Sequence, residues 1–169
     1  MPFTIRDFDP ADFDTLWNID QACFPPGISY SRTELKVYMR RRGSFTLVAV
    51  NDATVGSEGK KKTPGSLPAI AGFIVAEPGR TSGHIITIDV VATARRFGVG
   101  SLLLSSAESR LRDAQCRSVQ LETAVDNISA LSFYKRHGYS VVKTYPRYYS
   151  NGVDALVLLK NLTTVPPPR

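Results

Sequence analysis

Cysteine and histidine are both scarce in this chain: Cys23 and Cys116, His84 and His137. Two thiols make no disulfide framework, and the four residues lack the spacing of a zinc site, so no metal is expected. Long apolar runs are missing as well. No stretch approaches the ~20 residues that span a bilayer, and Met1-Pro2-Phe3-Thr4-Ile5-Arg6-Asp7 has no basic segment followed by an apolar one. A cytoplasmic location with no membrane partner is the expectation. Internal repeats are absent, and 43% hydrophobic against 21% charged residues excludes a disordered class. Acidic residues fall short of basic ones, 15 against 21, for a formal charge of +6. Such a surface suits an anionic partner without naming it. Arg40-Arg41-Arg42 and Lys60-Lys61-Lys62 read as solvated surface, so no direct nucleic-acid binding is expected.

A length of 169 residues suits one compact domain. Phe3 to Arg6 reads as a strand, and Asp9-Pro10 starts a helix that carries Phe13, Leu16, Trp17 and Ile19 up to about Cys23. Phe24-Pro25-Pro26-Gly27 opens a loop. Ser31-Arg32-Thr33-Glu34 is a capping box for a second helix, which Gly43 ends. Strands are predicted over 45–50 and 69–76, joined by a flexible loop over 52–68. The Ile- and Val-rich segment from His84 to Val91 has the composition of a strand buried on both faces. Val99, Leu102, Leu103, Ala107, Leu111 and Ala114 mark an amphipathic helix. A strand over 118–124, a helix over 129–137 and strands over 139–145 and 154–159 follow, with a disordered tail at 163–169. The class is α/β, a single domain over 1–162 with a mixed central β-sheet flanked by helices. Within it, His84 to Ala124 forms a right-handed parallel strand–helix–strand unit.

Arg95-Arg96-Phe97-Gly98-Val99-Gly100-Ser101 lies between the buried strand and the amphipathic helix. The first amides of a helix have no intrahelical partner, and the dipole adds positive charge there, so such a terminus binds phosphate. Gly98 and Gly100 allow close approach, and two arginines add charge. A nucleotide-triphosphate loop would need Gly-Lys-Ser/Thr, which is missing, and the dinucleotide glycine pattern is absent too.

This segment resembles the signature of the GNAT superfamily of acetyl-CoA-dependent N-acetyltransferases, Gln/Arg-x-x-Gly-x-Gly/Ala in the same setting. Asp126-Asn127-Ile128-Ser129-Ala130-Leu131-Ser132-Phe133-Tyr134-Lys135-Arg136-His137-Gly138-Tyr139 resembles the family's second block, in which the Asn and Tyr lie beside CoA. Ala92 stands where many members carry Pro. The resemblance implies that Arg95 to Ser101 hold the pyrophosphate of acetyl-CoA and that Asn127 also contacts the cofactor. It further implies that Ile88 and Val90 pair with the pantetheine arm, Val90 N–H polarising the acetyl carbonyl.

Acetyl transfer needs a neutral amine and a proton for the departing thiolate. Glu122 is a charged residue in an otherwise apolar strand, and Tyr134 is protonated at neutral pH. From the residues alone, a strand-edge carboxylate paired with an arginine and a core aromatic remain open. By resemblance to the RimI-type N-terminal acetyltransferases, Glu122 is the base and Tyr134 the acid. The same resemblance assigns the loop with Phe24 and Tyr30 to one wall of a peptide entrance, and the hairpin with Tyr149 to the other. The acceptor is then the N-terminal α-amine of a protein or peptide, a ribosome-associated one being within reach of the Lys-rich loop. A small-molecule amine, or a non-catalytic acetyl-CoA-binding regulator, are the alternatives. Neither histidine reads as catalytic: His84 opens a strand, and His137 sits where a helix C-terminus favours positive charge. Cys116 reads as a buried filler.

Overall fold

The computed structural model describes residues 2–54 and 67–163. Most of the loop predicted over 52–68 and nearly all of the predicted tail lie outside the described residues; Asp52–Thr54 form a 3-10 turn. Seven strands, β1 (Phe3–Asp7), β2 (Phe45–Asn51), β3 (Ile70–Pro78), β4 (Ser82–Val90), β5 (Ser118–Ala124), β6 (Ser140–Tyr145) and β7 (Ala155–Asn161), form one sheet in the order β1-β2-β3-β4-β5-β7-β6. Only β4 and β5 pair in parallel; the rest are antiparallel. That pair is the predicted crossover unit, bridged by helix α3 (Val99–Asp113). The insertion of β7 between β5 and β6 is a tertiary choice that no local pattern announces.

Helices cover both faces. On one side lie α1 (Phe13–Cys23) and α2 (Arg32–Arg40), whose Leu16, Ile19 and Leu35 pack on Val48, Phe73 and Val75. On the other, Val99, Leu103, Leu104, Ala107 and Leu111 of α3 pack on Ile74, Leu121 and Leu158, joined by Tyr134 of α4 (Ile128–Arg136). Leu103, Leu104 and Leu111 are fully buried, so truncating any one to Ala would cost about 2–5 kcal/mol. The helix starts follow the sequence. Asp9 accepts from the Ala11 amide to cap the 3-10 turn Pro10–Asp12 that leads into α1. Ser31 accepts from the Glu34 amide at 3.1 Å to cap α2.

β4 corrects one expectation. It is not buried on both faces: buried and half-buried residues alternate along its whole length. Three of its half-buried residues, Ile86, Ile88 and Val90, line a cleft instead of packing under a helix along their whole surface.

Candidate active site

β4 and β5 are paired only where Ser82, Gly83 and His84 meet Ser118, Val119 and Gln120. Beyond that point they part. Val75 and Ala76 of β3 face Thr87 and Ile85 of β4, which leaves Ile86 as an extra residue, and such a bulge bends the strand that carries it. β5 is meanwhile held straight by β7 along its full length. The resulting cleft encloses about 710 Å³. It is lined by Phe24, Tyr30, Ile88, Val90, Arg95, Arg96, Gly98, Val99, Gly100, Ser101, Glu122, Asn127, Tyr134 and Tyr149, which is every predicted site residue except Phe97. The Phe97 ring is 48% exposed and stands outside the lining.

The cleft's polar groups come first from backbone. Val91 N–H donates to Ala71 O at 2.8 Å, toward β3. Strand alternation therefore turns the peptide groups of Ile88 and Val90 the other way, into the cleft. Past the strand, the chain makes a 3-10 turn at Ala92–Ala94. Arg96 (φ 70°) and Gly98 (φ 78°) then adopt left-handed conformations. Gly98 is the N-cap of α3 and no side chain caps that helix, so its first amides are left to an outside acceptor. Val99 buries its side chain in the core and offers only its N–H to the cleft. Arg95 folds back on its own strand, donating from Nε to Val90 O at 3.2 Å, and so braces the turn. Asn127 uses its side-chain oxygen to cap α4 through the Ala130 amide at 3.2 Å, which leaves its NH₂ group for a ligand. Ser101 Oγ lies 2.9 Å from His137 Nε2. Burial pushes the pKa of His137 down, with Lys160 and Arg136 acting in the same direction. The positive charge expected at this helix end is therefore disfavoured.

Glu122 and Tyr134 reach the cleft from opposite faces of the sheet. Leu121 belongs to the α3-side core, so its neighbour Glu122 projects toward α1 and α2. Tyr134 is 7% exposed and packs within the α3-side core. Burial, reinforced by the charge of Asp89, raises its pKa well above the usual tyrosine range. Its hydroxyl keeps its proton.

His84 is the residue that sequence reasoning missed. Its Nε2 lies 2.6 Å from Glu122 Oε2, and its Nδ1 lies 3.9 Å from Glu77 Oε1. Arg41 in turn meets Glu77 at 3.3 Å. Burial works against a charge on His84, but the hydrogen bond and charge of Glu122, with Glu77 behind them, hold its pKa above the ordinary histidine value. His84 pairs with Gln120 across the parallel ladder, which puts Glu122, two residues on, over the same face. Only the register could have disclosed this.

Two loops wall the α1/α2 side. In the first, Tyr30 N–H donates to Asp20 Oδ2 at 2.8 Å, and its hydroxyl reaches Ile86 O at 3.4 Å. In the second, Tyr149 N–H donates to Val153 O, and Tyr148 stacks on Tyr145. Ser150 Oγ joins the loops by donating to Gly27 O at 3.0 Å. Gly27 has φ 91°, and a Cβ there would lie 2.8 Å from the Asn151 Cβ, so the closure requires glycine. Of the cysteines, Cys116 is buried, as a filler should be. Cys23 is half-buried, and burial followed by the Asp89 charge pushes its thiol up to about 11. Neither offers a ready nucleophile. Among the described residues, no group of His, Cys, Asp and Glu could hold a metal ion.

The chain is 36% identical over 77 residues to the N-alpha-acetyltransferase of Sulfolobus acidocaldarius, covering 45% of this chain and 46% of that one. It spans about half the length of such curated relatives. The solved structure of Ard1 from Thermoplasma volcanium superposes with a TM-score of 0.80 at 28% identity, covering 97% of this chain and 100% of that one. The NatC complex bound to Gag peptide and CoA gives a TM-score of 0.77 at 26% identity, covering 96% and 100%. The family model described as acetyltransferase (GNAT) family matches residues 13–139, from the first helix to the end of the second motif, and to that family this chain belongs.

Proposed function

We propose that this chain transfers the acetyl group of acetyl-CoA directly to the α-amine of a protein or peptide N-terminus, in the manner of the RimI-type enzymes. The observation that carries the reading is the cleft between β4 and β5, which has an uncapped helix tip at one end and two tyrosine-bearing loops at the other. The residues present fit the co-substrate. Uncapped first-turn amides of α3 and the charge of Arg96 suit a pyrophosphate, and the peptide groups of Ile88 and Val90 suit an amide-bearing arm laid along a strand. Bound there, acetyl-CoA supplies an activated thioester. Relatives named N-alpha-acetyltransferase, and a similar solved complex that holds both a peptide and CoA, support the choice of acceptor.

The chain's own groups divide the work between the two faces. Glu122 lies on the acceptor side and takes the proton of the incoming ammonium, directly or through water. A free α-amine has a pKa of about 7.7–8.0, so a carboxylate suffices as base, whereas a lysine side chain at about 10.4 would ask far more of it. Val90 N–H donates to the carbonyl oxygen as charge develops on it. Tyr134, on the cofactor side, delivers a proton to the departing sulfur.

The test is thiol release from acetyl-CoA with a panel of short peptides that differ at the N-terminal residue, against the same peptides already N-acetylated and against free polyamines and amino acids. Turnover confined to free N-termini is expected. Turnover on small amines alone would replace the acceptor assignment, and CoA binding without thiol release would replace the enzymatic one.

A further inference from the structure

Asp20 on α1 and Asp89 on β4 are 0% and 1% exposed, and no step of the proposed reaction uses them. One oxygen of each is accounted for. Asp20 Oδ2 accepts from the Tyr30 amide and from Gln21 Nε2, while Asp89 Oδ1 accepts from Thr87 Oγ1 at 2.6 Å. The other two, Asp20 Oδ1 and Asp89 Oδ2, are buried acceptors with no donor among the described residues, and the two carboxyl groups are near enough for each to act on the other's charge. Two acceptors bond only through a proton. A pair of buried, adjacent carboxylates would also set two unpaired charges side by side, a repulsion that one shared proton removes.

We propose that Asp20 and Asp89 share a single proton, and that this acid–carboxylate pair is the positioning device that holds the 24–31 loop on β4. The contacts are specific to the two substrate sites. Asp20 anchors the Tyr30 amide, and Tyr30 reaches Ile86 O. Asp89 immediately precedes Val90 in the cofactor strand. Burial and mutual repulsion favour the shared proton, and Glu34 adds to the repulsion at Asp20. Arg95 works the other way at Asp89, and Cys23, Tyr30 and Tyr134, the remaining titratable groups nearby, keep their protons. Removing the shared proton at alkaline pH sets two negative charges against each other and frees the loop.

The assignment of this loop to the acceptor rests on the proposed function, so the test has one readout that needs no acceptor. Trp17 is the single tryptophan, and its ring N–H donates to Tyr30 O at 3.2 Å. Intrinsic fluorescence of the ligand-free protein therefore reports the seating of the loop. A step is expected as pH is raised from neutrality, with loss in parallel of the infrared carbonyl band of a protonated carboxylic acid. Asp89→Asn, whose amide can donate to Asp20 while its oxygen accepts from Thr87, abolishes both; Asp20→Asn serves as the independent second variant. Peptide KM rises roughly tenfold across the same step, about the worth of one buried hydrogen bond to a charged group, and stays flat in Asp89→Asn. A wild-type step retained by both variants, or no step and no band in the wild type, overturns the shared proton. A step that both variants abolish, with a pH-independent peptide KM, overturns the link to the acceptor. Absence of any peptide turnover counts against the proposed function instead, and fluorescence still decides the pair.

Discussion

At the residue scale, the question is what His84 does to Glu122. Oε2 of the carboxylate is committed to the imidazole, which leaves Oε1 for the acceptor amine. The hydrogen bond and charge of Glu122 hold the imidazole's pKa above the ordinary histidine value, against the effect of burial. While His84 is protonated, the charge of Glu122 is engaged by the imidazolium and its pull on an incoming ammonium is weaker. kcat should therefore rise with pH through a value above that of an ordinary histidine. In His84→Asn the pair is gone, and the acid limb of kcat should move to lower pH, with the maximal rate reduced about tenfold or less because Glu122 remains. An unmoved acid limb would reduce His84 to packing. Glu122→Gln and Tyr134→Phe, which remove the groups proposed as base and acid, should each lower kcat by about 10²–10⁴-fold. Full kcat across the pH range in Tyr134→Phe would cancel its role as acid.

Among the elements, α3 has a second task besides presenting its uncapped tip. Its Glu108 is 3% exposed and accepts from Lys160 Nζ of β7 at 2.8 and 3.0 Å, and from Tyr139 Oη at 3.4 Å. These contacts fasten α3 to the β6–β7 arm that carries the loop with Tyr149. Lys160→Met should destabilise the protein by about 3 kcal/mol, because it strands a buried carboxylate. The double variant with Glu108→Gln should recover most of that loss in denaturant unfolding; a cost below about 1 kcal/mol for Lys160→Met would mean that Tyr139 compensates Glu108 alone. This cluster, like His84–Glu122 and Asp20–Asp89, was invisible in the sequence for one reason: the carboxylate and its partner are 31 to 69 residues apart in each and meet only through strand register and helix packing. The legible parts were contiguous. Residues 95–101 and 126–139 are each contiguous within a single turn or helix, so the sequence alone could be matched to the family's motifs, and Asp9 and Ser31 marked the turn that leads into α1 and the start of α2. Phe97 is the one predicted site residue outside the cleft lining, because contiguity within a turn says nothing about where a side chain points.

For the molecule as a whole, two buried aspartates and a half-buried histidine act with the same sign. Asp20 and Asp89 have pKa values raised above the unfolded aspartate value, burial being the main cause. Each therefore favours the folded state while protonated, and that contribution is lost as pH rises through the folded pKa. His84 is raised by Glu122 despite its burial, and its contribution, fully present below the unfolded histidine pKa, is likewise lost on the alkaline side. Two groups oppose them. Asp7 is lowered by Arg110 and Asp12 by Arg6, so their contributions are lost only as pH falls below the ordinary aspartate range. The sum predicts a thermal midpoint that is highest on the acid side of neutrality and declines steadily toward alkaline pH. Calorimetric scans across that range should show the decline, and Asp89→Asn should flatten it, becoming the more stable protein at the alkaline end. A wild-type Tm that rises from neutral to alkaline pH would mean that both aspartates are ionised in the fold and compensated by a cation. Arg95 is the one cation identified as acting on Asp89, but its Nε is already bonded to Val90 O and it has one charge to set against two.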